Sequence, residues 1–257
     1  NILWPSVVRW YAKSSGTTND KSKFLPVTPE ILKGCHYKGG FDCVAIYLRN
    51  NPESRFFSKK GLILGGSHSP SPLNSEAHQG DLSAVLLQNL NPLVNLIRVP
   101  KKPIILMDEW ESKIKAIVEN TWNKDVNSLS GVPSWMLVLI KAVLKKTGRE
   151  YLTDVWPNLE VFFHGGISFE PYREQYKTLI PSNKMHYMET YNASEGFFGL
   201  QDDPTDSSLL MMPDYGIFYE FIPMNEVGNA HPTVLPLESV ETGKNYAMVI
   251  TTSGGLW

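Results

Sequence analysis

Apolar positions along the chain fall into two periods, and their alternation predicts an α/β fold. Thr28-Pro-Glu30 sets a capping hydroxyl before a first-turn proline and opens a helix that runs toward Leu48. Gly39-Gly40 weakens its middle, which calls for a close helix contact or a break. Asp81 is placed to cap a helix through Leu90, and Pro103 to Met107 reads as a strand or a helix lead-in. Asp108 followed by Glu111 resembles a capping box, after which Trp110, Ile114, Ile117, Val118 and Trp122 repeat at helical spacing. Another helix starts near Pro133 and stops at Gly148. Between these helices lie short strand-type runs at 61–66, 159–164, 184–191 and 216–222. Ser67 to Gly80, nearly devoid of apolar residues, reads as a loop. Gln201 to Ser208 is a polar linker, expected to separate two halves of one sheet system rather than two domains.

Charge narrows the function classes. The 257 residues carry 24 Lys and Arg against 26 Asp and Glu, a formal charge of −2. That balance speaks against a polyanion binder, which needs a basic excess. No apolar run reaches the ~18 residues that span a bilayer. With 42% hydrophobic residues the chain can bury a sizeable core, so a soluble globular protein is expected. Two cysteines, Cys35 and Cys43, make no disulfide framework, which points to a reducing, cytoplasmic setting. The six histidines show no metal-ligand spacing, and Gly66-Ser67-His68-Ser69 lacks the second glycine of a nucleophile elbow. Both ends run through apolar sequence and the first residue is not Met, which reads as a piece of a longer protein.

Three segments carry candidate chemistry. Tyr11-Ala-Lys-Ser-Ser-Gly-Thr-Thr18, followed by Lys21 and Lys23, packs four hydroxyls and a glycine into five positions. Such a segment suits an anion cradle of backbone N–H groups and hydroxyls with a nearby ammonium, and equally an ordinary Ser/Thr turn. It is not a Walker A loop. Tyr191-Asn-Ala-Ser-Glu-Gly196 follows a strand, where open α/β sheets place ligands, and offers an aromatic face, a hydroxyl and a carboxylate. Magnesium bound with a nucleotide takes one or two carboxylates, and Glu195 is placed to be one. His164-Gly165-Gly166 also follows a strand, and its glycines permit a planar group such as a purine to approach the backbone.

Taken in order, these segments resemble the GH3 family of acyl-acid amido synthetases, within the acyl-adenylate-forming superfamily. The resemblance rests on Ser14-Ser-Gly-Thr-Thr18, Leu62-Ile-Leu-Gly-Gly-Ser-His68, Phe162-Phe-His-Gly-Gly166, Tyr191 to Gln201 and Thr251 to Trp257. The Gly-Gly-Ser-His and Gly-Phe-Phe-Gly-Leu-Gln contexts are similar to bacterial rather than plant members. It implies a ligase that uses ATP and Mg²⁺ to turn a carboxylic acid into an acyl-adenylate, then passes the acyl group to an amine, in plant members an amino acid. It further implies mixed β-sheets flanked by helices, with 1–257 as part of the large N-terminal domain and a C-terminal lid outside it. Ser14, Ser15, Gly16, Thr17, Thr18 and Lys23 would line the phosphate loop, with the choice between Lys21 and Lys23 open. Gly165 and Gly166 would flank adenine and ribose, with Tyr191 on the base and Asn192 beside it. Ser194 would reach the α-phosphate and Glu195 would hold Mg²⁺.

The acid would meet His68, Trp135 and Phe197, although a solvated loop at His68 and core packing at Trp135 are the plainer alternatives. An acyl-CoA-type ligase sharing the adenylation step is the alternative enzyme. A non-catalytic nucleotide-binding fragment is the alternative outside enzymes.

Overall fold

Three of the strand-type runs, 61–66, 159–164 and 184–191, meet in one mixed sheet, the run 216–222 lies in another, and Ser14 borders the first from a third. The structure, a computed structural model, describes residues 7–14, 23–71 and 76–253. Its strands are β1 (Trp10–Ser14), β2 (Lys23–Pro26), β3 (Lys60–Ile63), β4 (His68–Pro70), β5 (His78–Gly80), β6 (Arg98–Val99), β7 (Val126–Gly131), β8 (Val161–Gly165), β9 (His186–Ala193), β10 (Gly196–Leu200), β11 (Leu210–Met211), β12 (Ile217–Pro223), β13 (Leu235–Pro236) and β14 (Tyr246–Thr252). The α-helices are α1 (Pro29–Ile31), α2 (Lys38–Asn50), α3 (Leu82–Asn89), α4 (Lys102–Ile105), α5 (Trp110–Thr121), α6 (Pro133–Thr147), α7 (Leu152–Val155) and α8 (Arg173–Leu179).

The central sheet has the order β11-β10-β9-β8-β7-β3-β6. Its strands β6, β3, β7, β8 and β9 run parallel, while β10 and β11 add on antiparallel. Sheet β2-β1-β5-β4 and the antiparallel sheet β13-β12-β14 flank it. Alternation along β8 assigns its two faces. Phe162 joins one buried cluster with Leu62, Leu129 and residues of α5, α6 and α8. Val161 and Phe163 turn the other way, onto Tyr47 of α2. Helices thus cover both faces, which leaves the strand ends free for a site.

Thr28 caps α1 through its hydroxyl, as expected, and a π turn, Leu32–Tyr37, joins α1 to α2 without a break. Gly39 is the close contact: a Cβ there would lie 2.4 Å from Cγ of Phe197. The run 201–208 connects β10 to β11, neighbours in one sheet.

Three expectations are corrected. Ser67 to Gly80 holds the short strands β4 and β5, because β5 pairs with both β1 and β4 and satisfies its backbone without apolar side chains. The carboxylate of Asp81 accepts from the amide of Ser67 rather than capping α3. At α5 the cap is Glu109, whose carboxylate accepts from Glu111 N at 2.8 Å and Ser112 N at 2.6 Å. Strand β7 was not visible in the sequence, since Val126-Asn-Ser-Leu-Ser-Gly131 is half polar. It is central and buried all the same, with Asn127 reaching the carbonyls of Arg55 and Phe56.

Candidate functional site at the carboxyl edge of the sheet

Parallel pairing makes β3, β7, β8 and β9 end at one edge of the central sheet. The turns leaving that edge are Gly65-Gly66, Gly131-Val132 into α6, Gly165-Gly166, and the Ser194-Glu195 turn of the β9–β10 hairpin, closed by the Ala193–Gly196 pair. Strand β1 brings Ser14 to the same place. The Ser14 hydroxyl donates to Oε1 of Glu195 at 3.3 Å. Lys23 pairs directly opposite Ser14, so the two side chains share one face of the ribbon. Ser15, Gly16, Thr17 and Thr18 lie outside the described residues.

Gly165 is required by a close approach, since a Cβ there would meet the Thr190 carbonyl oxygen at 2.3 Å. Gly166 has φ +82°, a conformation that favours glycine. Beneath them His164 is buried and stacked on Phe169 with ring centroids 4.2 Å apart. Burial, with a smaller effect from the Arg173 guanidinium, pulls its pKa down to about 3. Tyr191 keeps a half-exposed ring set edge-on to Phe198 at 5.0 Å. An exposed aromatic beside two glycine-lined strand ends is a surface on which a planar base can lie.

A two-point clamp that sequence reasoning missed holds the hairpin from below. The Cys35 thiol accepts from the Phe197 amide at 3.1 Å, and Nδ1 of His36 lies 2.9 Å from Oδ1 of Asn192. Burial lowers the His36 pKa to about 4, against the opposing pull of Asn192. No motif marks this pair; the π turn that aims both residues at the hairpin is visible only in three dimensions. Lys113 was also missed. Its ammonium is buried and donates to the carbonyls of Gly65 at 2.8 Å and Gly66 at 3.0 Å. Burial lowers its pKa, with Asp81 and Asp108 acting the other way. The sequence did carry a signal here, because Lys113 stands three positions after Trp110 and four before Ile117, on the apolar stripe of α5.

The residues expected to meet an acid fall in different surroundings. His68 follows the Gly65-Gly66-Ser67 turn and packs edge-on against Trp10 and His78 at 5.3 and 5.7 Å. Burial and then the neighbouring His78 lower its pKa, with Asp108 opposing. Trp135 stands on the first turn of α6, partly exposed, its ring 5.6 Å from that of Trp110. Phe197 is a core residue instead: it is 3% exposed and occupies the space that Gly39 leaves, so packing takes the ring expected in the acyl pocket. Ser194 sits in the hairpin turn beside Glu195. A cavity of about 590 Å³ opens at the opposite, amino edge, lined by Arg55, Asn127 and Glu160 among others, and shares no residue with this group.

Among the described residues no three His, Cys, Asp or Glu side chains cluster as a metal cage. Glu195 brings a carboxylate to this edge, and one or two carboxylates beside phosphate oxygens are the donor set that suits a magnesium ion.

Comparison with known proteins decides the family. Residues 1–185 match the GH3 family N-terminal domain, and residues 210–257 match the GH3 family central domain. The chain belongs to the GH3 family. It is 35% identical over 116 residues to the indole-3-acetic acid-amido synthetase GH3.8 of Oryza sativa subsp. indica, covering 41% of this chain and 18% of that protein. To the indole-3-acetic acid-amido synthetase GH3.4 of Arabidopsis thaliana it is 28% identical over 159 residues, 58% of this chain and 25% of that one. The GH3 fold is matched by the solved AtGH3.15 acyl acid amido synthetase in complex with 2,4-DB, with a TM-score of 0.77 at 16% identity. That match covers 99% of this chain and 52% of the solved one, so this GH3 chain spans about half the length of its solved relative.

Proposed function

We propose that this GH3 chain carries the nucleotide- and acid-activating part of an ATP-dependent ligase. In the reaction, an oxygen of a carboxylate attacks the α-phosphorus of ATP and pyrophosphate leaves. An amine nitrogen, as of an amino acid, then attacks the acyl carbon of the adenylate; AMP leaves, the nitrogen loses a proton and an amide remains. The observation that carries this reading is the Ser14–Glu195 contact, which brings the end of the phosphate-loop strand to the acidic turn at the carboxyl edge.

That placement supports the roles that the family resemblance implies. Ser14 and Lys23, with the hydroxyls at 15, 17 and 18, bind the polyphosphate through charge-assisted hydrogen bonds. Gly165 and Gly166 let the purine approach the backbone, and Tyr191 offers it a ring. Ser194 orients the α-phosphate. Glu195 holds Mg²⁺, which when bound offsets the repulsion between the two anions that must meet. His68 and Trp135 line the acid's path from the Gly65-Gly66 turn and from α6. The acid is one with an apolar body, in keeping with relatives named for indole-3-acetic acid and a solved relative holding 2,4-DB. Buried free thiols at Cys35 and Cys43 support a reducing, cytoplasmic setting.

Calorimetry with ATP, with and without Mg²⁺, tests the reading. The chain should bind ATP more tightly with the ion, and Glu195→Ala should remove that increment. An increment that survives in Glu195→Ala would strip the residue of its role.

A further inference from the structure

Asn192 lies one pair below the Ser194-Glu195 turn, directly opposite Phe197. Its side-chain carbonyl is taken by His36, at 2.9 Å. With Oδ1 as the facing atom, and able only to accept, the contact requires the shared proton on Nδ1 of His36, the Nδ1–H tautomer. Nε2 then carries only a lone pair, and it is buried with no partner among the described residues. His36 itself is 3% exposed and cannot swing to another partner. The Cys35–Phe197 bond, one residue away on the same π turn, pins the backbone opposite Asn192 and keeps this geometry in register.

We propose that His36 is a positioning residue that locks the Asn192 amide with its carbonyl toward the helix and its NH₂ turned away, so that this position offers ATP hydrogen-bond donors. An unheld asparagine presents either end of its amide, and half of its orientations would set an acceptor against the lone pairs of phosphate oxygens or purine nitrogens. With the carbonyl held, both remaining polar hydrogens face the other way, and none has a partner among the described residues. The rule selects an occupant rich in acceptors, which is the character of a purine nucleotide. This inference rests on the ATP reading above and goes beyond it in assigning a role to the helix residue.

Two measurements on the full chain test it. Long-range ¹H–¹⁵N correlation of the histidines should show His36 protonated at Nδ1, and an Nε2–H signature would overturn the proposal. Calorimetry with Mg·ATP should find about tenfold weaker binding for Asn192→Ala and a larger loss for Asn192→Asp, which replaces the donors by an anion. His36→Leu should match Asn192→Ala and add nothing in the double variant, while His36→Asn, which keeps a donor near Nδ1, should bind within threefold of the unsubstituted chain. Wild-type affinity in both Asn192 variants, with Glu195→Ala still losing its magnesium increment, would overturn the proposal and leave the ATP reading standing. Absence of binding by the unsubstituted chain would overturn both.

Discussion

The Ser14 hydroxyl and the Glu195 carboxylate meet across 181 positions of sequence, one from a strand of the β2-β1-β5-β4 sheet and the other from a hairpin turn of the central sheet. A single partly exposed hydrogen bond, worth about 1 kcal/mol, does not bring such distant segments together. The shared core beneath does: Ala12 of β1, Val27, Cys35 of the π turn and Phe197 and Phe198 of β10 form one buried cluster. The polar contact sits on top of an apolar one that aims it.

Ser14→Ala should therefore separate binding from stability. Urea unfolding should move by less than about 1 kcal/mol, because the hydroxyl is half-buried and its partner can be solvated. ATP affinity should fall several-fold through loss of a donor at the phosphate loop. Equal losses in both measurements would mean that Ser14 serves the fold alone.

Lys113→Met should cost on the order of 3 kcal/mol. The substitution keeps most of the side chain's apolar length and removes the only side-chain donor to the carbonyls of Gly65 and Gly66 among the described residues, leaving two buried acceptors unpaired. Chemical denaturation measures the loss. A change under about 1 kcal/mol would show that Ser83 and Asp81, which bind the amides of Gly66 and Ser67, hold the turn unaided.

How much of this was legible in the sequence divides along a physical line. Helix α6 was legible at both ends, because Pro133 and the left-handed Gly148 act locally on the backbone. So were the strands ending at Gly165 and Ala193, whose apolar runs and polar turns are local signals too. Strand β7 was hidden because its burial comes from neighbours on both sides, which lets Asn127 and Ser128 occupy a core strand. The family resemblance named Ser14 and Glu195, which the fold brings into contact, and set Phe197 in an acyl pocket. Only the Gly39 contact, 158 positions away, shows that its ring is consumed by packing. His36 was passed over because a lone histidine on a helix has no signature; its partner Asn192 is supplied by the tertiary fold.

Two adjacent glycines in α2 should respond to alanine with opposite signs. A Cβ at Gly40 meets nothing within 4 Å, so Gly40→Ala should stabilise the chain by about 1 kcal/mol through helix propensity and reduced freedom of the unfolded state. At Gly39 the same methyl would run into the ring of Phe197, and overpacking should cost about 1–3 kcal/mol, exceeding the propensity gain. Thermal unfolding of the two variants checks the pair. Stabilisation by both would mean that Phe197 yields easily and that the hairpin is not pinned from below.

Acid should weaken the fold well before carboxylates protonate. His36 and His164 are held neutral by burial, with pKa values lowered to about 4 and about 3 from an ordinary 6.5. Both are bases with depressed folded values, so the unfolded chain binds more protons at any pH between the folded and the ordinary pKa. Stability is then fully present above about pH 6.5 and is lost as pH falls, until each folded pKa is passed. Below pH 6 each histidine should add a slope approaching about 1.4 kcal/mol per pH unit. Urea midpoints between pH 7 and pH 5 should fall accordingly, and His36→Asn, which cannot titrate, should make the slope shallower. A flat profile over that range would mean that the imidazoles take up protons without unfolding, and His36 could not then be the fixed neutral partner of Asn192.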